Sequence, residues 1–94
     1  MPEAPEPQWQ VIWSSSAAKA MGRLPRTVVD AVAAFADGPL TTNPYRVSKA
    51  LHAPFEGKRS AYRGSYRVLI EIDDDAQTVR IYDVLHRADA YRPR

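Results

Sequence analysis

Ninety-four residues are enough for one domain, and 45% hydrophobic with 26% charged residues is the composition of a globular chain rather than a disordered one. With no cysteine there is no disulfide scaffold or thiolate zinc site, and two histidines do not make a metal site on their own. A formal charge of +2, an acidic and proline-rich start, and no apolar run near the roughly 18 residues of a membrane span point to a cytoplasmic domain without metal or cofactor.

Residues 1–7 hold three prolines and two glutamates without apolar periodicity, and are expected to be a disordered tail ahead of a single domain over 8–94. Trp9, Val11 and Trp13 alternate, the pattern of a strand with one buried face. Ser14, Ser15 and Ser16 supply N-cap hydroxyls for a short helix through Met21 that Gly22 ends. Pro25 suits the first turn of a second helix, whose Val28, Val32 and Phe35 share one face until Gly38-Pro39 stops it. Residues 39–56 lack sustained periodicity and read as an irregular connection anchored by Leu40, Val47, Leu51 and Phe55.

Lys58 to Tyr62 reads as a strand and Arg63-Gly64-Ser65 as a turn. Tyr66, Val68, Ile70 and Ile72 then mark one face of the strongest strand in the chain, with Arg67, Leu69 and Glu71 on the other. Asp73-Asp74-Asp75 is an exposed hairpin loop that returns through Val79–Leu85. The sum is a two-layer α+β domain: an antiparallel sheet of about four strands with two N-terminal helices on one face.

Charge is unevenly spread. Residues 46–67 carry Arg46, Lys49, Lys58, Arg59, Arg63 and Arg67 against Glu56 alone, a net of +5 flanked by segments of net −1 and −2. A basic stretch of this density suits a polyanion or an acidic partner, and equally a solvated face.

In order and spacing, Arg23-Leu24-Pro25, Gly38-Pro39-Leu40, Asn43-Pro44, Arg46, Glu56-Gly57, Arg63-Gly64-Ser65-Tyr66-Arg67-Val68, Ile72-Asp73-Asp74 and His86-Arg87-Ala88-Asp89-Ala90-Tyr91-Arg92 make the chain resemble the RelE branch of the RelE/ParE toxins. The resemblance covers residues 8–94 and implies a microbial-RNase-like fold. It also implies a ribosome-dependent endoribonuclease that cuts mRNA in the A site, without metal. There the ribose 2′-hydroxyl attacks the adjacent phosphate, leaving a 2′,3′-cyclic phosphate and a free 5′-hydroxyl. Such a reaction needs a base, cations around the phosphate and an acid at the leaving oxygen.

By position in the family pattern, Arg67 is the phosphate-binding arginine and Arg87 stabilises the phosphate or protonates the leaving oxygen. Tyr91 stacks on a base or orients the nucleotide. The family often has a lysine base where this chain has Ser60, so Lys58, on the same strand face, is the nearest substitute, with neighbouring arginines to depress its pKa. His86 has the right intrinsic pKa for proton transfer but alternates away from Arg87. Arg46, Lys49, Arg59 and Arg63 are expected to contact RNA phosphates, and His52 has no assigned role.

The resemblance implies as partners a cognate acidic antitoxin, two copies of each chain being one arrangement, together with the ribosome and mRNA; no membrane is involved. A ParE-type inhibitor of DNA gyrase is the alternative of another class, although that branch typically lacks the terminal arginine–tyrosine pair. A catalytically weak toxin that mainly binds its antitoxin is the third.

Overall fold

The computed structural model describes residues 8–52, 54–55 and 57–88; the expected tail over 1–7 lies outside the described residues. In chain order the elements are β1 (Gln10–Trp13), α1 (Ser15–Met21), α2 (Arg26–Asp37), α3 (Pro39–Thr42), β2 (Lys49–Ala50), β3 (Arg59–Arg63), β4 (Tyr66–Asp73) and β5 (Thr78–His86). The strands form one sheet in the order β1-β5-β4-β3-β2, antiparallel except where β1 runs parallel to β5.

Local chemistry accounts for the helices. The Ser14 hydroxyl accepts the Ala17 N–H at 3.0 Å, satisfying one of the donors a helix start leaves open, and it donates to the Tyr82 carbonyl at 2.8 Å, pinning α1 to β5. Pro25 stands at the N-cap of α2, whose face buries Val32, Phe35 and Ala36. These side chains meet Ala61, Val68, Ile70, Val79, Ile81 and Val84 of the sheet in one apolar core, with Tyr66 and Ile72 packed against it.

Two elements go beyond the sequence reading. The residues after Gly38 wind into the single turn of α3, with Pro39 as its first residue, and Lys49–Ala50 pair with Ser60 and Arg59 as a fifth strand. A two-residue strand carries no alternation, so its pairing is visible only from its partner. β1 also departs from the expected pattern. Trp9 and Val11 pack on the core, but Trp13 is 36% exposed at the sheet edge where the chain turns into α1.

The β3–β4 hairpin turns on Gly64, whose φ of +60° is a conformation glycine adopts without strain. In the β4–β5 hairpin the register shifts at Leu69/Ile70. Ile70 faces Ile81 and Leu69 faces Asp83, which leaves Tyr82 without an opposite residue. Alternation resumes beyond it, with Val68 opposite Val84 and Tyr66 opposite His86.

Candidate active site

Because the helices cover one face, the other is open, and it carries the residues that alternate away from the core. Ser60 stands opposite Leu69 and Tyr62 opposite Arg67, so Lys58, Ser60 and Tyr62 of the β3 side share this face with Arg67, Leu69 and Glu71 of β4. The Arg67 guanidinium is held from two sides: Nη1 donates to the Ser60 hydroxyl at 3.4 Å and Nη2 to the Tyr62 hydroxyl, with the guanidinium carbon 4.2 Å from the Tyr62 ring centre. Ser60, where the family often has lysine, is buried and serves as one of these two props.

Arg67 lines a pocket of about 720 Å³ at the β2–β3 edge, between β3 and the 46–55 connection. Arg46 and Lys49 line the same pocket, so three of the six cations in the basic stretch converge there. The other three have internal work. Arg59 donates through Nε to the Ser48 hydroxyl at 2.7 Å and through Nη2 to the Ser48 carbonyl at 2.9 Å and the Tyr45 carbonyl at 3.2 Å. Arg63 stacks on the Phe35 ring with 3.6 Å to its centre, and burial there lowers its pKa from arginine's ordinary value. Lys58 pairs with Glu71 at 3.0 Å, and its ammonium lies 4.7 Å from the centre of the Tyr82 ring.

Glu71 has a second cation in Arg80 at 3.7 Å, and so bridges Lys58 and Arg80. Tyr82 is a poor proton donor or acceptor near neutrality. Burial first, and then the charges of Glu71 and Asp83, push its phenol up to about 12.

His86 sits across the sheet from Arg67. It is opposite Tyr66, which packs on the core, and the two rings meet edge to face at 5.3 Å. With Lys19 and Arg23 it lines a separate cleft beside α1, and its Nδ1 accepts the Ala88 N–H at 3.2 Å. Arg87 is exposed just past β5. Its N–H donates to the Ser65 carbonyl at 2.7 Å, carrying the ladder one residue further and placing Arg87, by alternation, on the Arg67 face. Tyr91 lies outside the described residues.

His52, which the sequence left without a role, lines the Arg67 pocket together with Leu51 and Phe55. No local pattern marks it, because the loop's return to β3 is a tertiary event. Tyr62 is likewise new. It is 52% exposed, the most exposed large hydrophobic side chain among the described residues, and it is also the aromatic on which Arg67 rests.

A family model for the ParE toxin of the type II toxin–antitoxin system parDE matches residues 11–91. Toxin RelG of Mycobacterium tuberculosis is 43% identical over 84 residues, covering 89% of this chain and 97% of that protein. The chain belongs to the RelE/ParE superfamily of type II toxins. Toxin RelE of the same organism is 39% identical over 84 residues, 89% of this chain and 87% of the relative. The toxin–antitoxin complex RelBE2 from M. tuberculosis contains a chain that superimposes with a TM-score of 0.81 at 40% identity, covering 85% of this chain and 99% of that one. As in that RelE/ParE neighbour, helices lie on a mostly antiparallel sheet, and among the described residues no helix is long and apolar enough to cross a membrane.

Proposed function

We propose that this toxin acts as a ribosome-dependent endoribonuclease that cuts mRNA by attack of a ribose 2′-hydroxyl on the neighbouring phosphate, and that an acidic antitoxin holds it in check. The observation that carries the reading is the convergence of Arg67, Arg46 and Lys49 on one pocket beside the open sheet face, in a chain about two-fifths identical to toxins named RelG and RelE. A guanidinium held by a hydroxyl on each side is preorganised to receive phosphate oxygens, so little reorganisation is needed as charge builds up in the transition state.

In this reading Arg67 binds the scissile phosphate, and Arg87, on the same face, stabilises it or serves the leaving 5′-oxygen. Of the two groups expected to move protons, Lys58 shares the Arg67 face and is retained, although its partner is the Glu71 carboxylate rather than the neighbouring arginines the sequence suggested. His86 faces α1 and is left out. Arg46 and Lys49 contact flanking phosphates. Arg59 and Arg63 are assigned to the protein's own interior contacts instead. An acidic antitoxin segment laid over the pocket would satisfy the cations that RNA would otherwise meet.

The matching family model is a ParE model, which keeps a gyrase inhibitor as the second reading. Expression without antitoxin, followed by mapping of RNA 5′ ends, separates the two. Cuts inside translated codons that vanish when the codon is not translated, and a fall of at least about 100-fold in cleavage for Arg67→Ala, are expected. Intact mRNA with blocked gyrase supercoiling would establish the second reading instead.

A further inference from the structure

We infer that the pocket beside Arg67 is a nucleobase subsite with Tyr62 as its stacking platform; this rests on the ribonuclease reading and goes on to name what the pocket holds. Its volume of about 720 Å³ lies in the ~300–1,000 Å³ range of small-molecule sites. The wall is mixed: Val47, Ala50, Leu51 and Phe55 are apolar, while Arg46, Lys49 and Arg67 are cationic. Phosphate contacts alone would not require the apolar part, and an apolar ligand alone would not call for three cations. A nucleotide has both kinds of surface.

Tyr62 links the two halves. Its hydroxyl receives Arg67 Nη2 and its ring lies under the guanidinium, yet the side chain remains 52% exposed in the pocket wall. An aromatic kept exposed beside a phosphate-binding cation suits stacking of an unpaired base, since every base has a π-face and single-stranded RNA can splay one out. Hydroxyls add little competing polarity. Ser48 is occupied by the Pro44 carbonyl and Arg59, and Ser60 is buried against Arg67. The base that fits is the one attached to the ribose next to the phosphate on Arg67, so the pocket holds a base by stacking while the cation fixes the phosphate.

The test needs no ribosome. Binding of a nucleoside 3′-monophosphate and of ribose 5-phosphate to the full-length, antitoxin-free chain is measured by calorimetry, and the ratio of the two affinities is the readout. The nucleotide is expected to bind at least tenfold tighter, Tyr62→Leu to bring the ratio close to one, and Tyr62→Phe to preserve it. Because any displacement of Arg67 weakens both ligands, it cancels in the ratio. Equal affinities in the parent chain, or an unchanged ratio in Tyr62→Leu, would overturn the subsite and leave the apolar wall to a side chain of a protein partner. Base-dependent binding in a chain that cuts no mRNA would sink the ribonuclease reading but keep the subsite. Cleavage with equal affinities would do the reverse.

Discussion

The two faces of this sheet divide the work of the molecule. Towards the helices, Val68, Ile70, Val79, Ile81 and Val84 are buried against Val32, Phe35 and Leu40, with apolar contact as the organising force. On the open face, Lys58, Ser60, Tyr62, Arg67 and Glu71 form a polar lattice in which each charge is placed by a neighbour. The first face is mostly apolar, with Arg59 and Arg63 at its margin, and supplies stability. The second can carry cations ready for an anion because the first already holds the chain together. The basic stretch crosses both, so its net charge of +5 overstates the charge offered to a ligand.

The sharpest way to break this division is at Phe35, which is 2% exposed and lies under Arg63. Phe35→Ala should cost about 3–5 kcal/mol, read as a lower urea midpoint, with cleavage per folded molecule retained. A loss of specific activity without loss of stability would show that the helix face also takes part in the chemistry. A smaller effect is expected at Arg59. Its three hydrogen bonds tie β3 to the 45–48 segment, so Arg59→Ala should lower stability by about 1.5–3 kcal/mol without reducing the salt dependence of RNA binding. A weaker salt slope at unchanged stability would put Arg59 among the RNA contacts after all. The smallest effect belongs to His86, on the α1 side of the sheet. His86→Ala should leave cleavage within about twofold of the parent, near the ±0.5 kcal/mol scatter of surface substitutions, and a flattened pH–rate profile in that variant would return His86 to the reaction.

What the sequence made legible follows from the range of the interactions involved. Strand β4, the face of α2, the serine cap of α1 and the glycine turn at Gly64 are written in residues a few positions apart, and each appears in the structure where its pattern predicts. The family pattern singled out Arg67 and the Ser60 position, and the structure sets these two within hydrogen-bond reach; Tyr62 and the pocket beside them are seen only in the structure. Strand β2 and the partners of Arg59 and Arg63 were not legible, because they depend on which distant backbone or ring lies alongside. For the same reason, counting cations could not separate Arg46, Lys49 and Arg67 from Lys58, Arg59 and Arg63. The pocket roles of His52 and Tyr62 needed the loop folded back onto β3 before they could be seen.

The unmatched Tyr82 in β5 has an effect at the far end of that strand. Before it, Val79 and Ile81 face the core, and after it Val84 does, with exposed His86 on the same side of the sheet, so the strand changes parity at one residue. A strand that paired without this slip would carry Arg87 under the helices and present His86 beside Arg67 instead. Which of two adjacent side chains reaches the Arg67 face is therefore decided by a count of residues four positions upstream rather than by either side chain. Deleting Tyr82 would leave Val84 opposite Val68 and His86 opposite Tyr66, so both side chains would keep their faces on an unbroken ladder; only a strand that keeps Tyr82 and pairs it would exchange them.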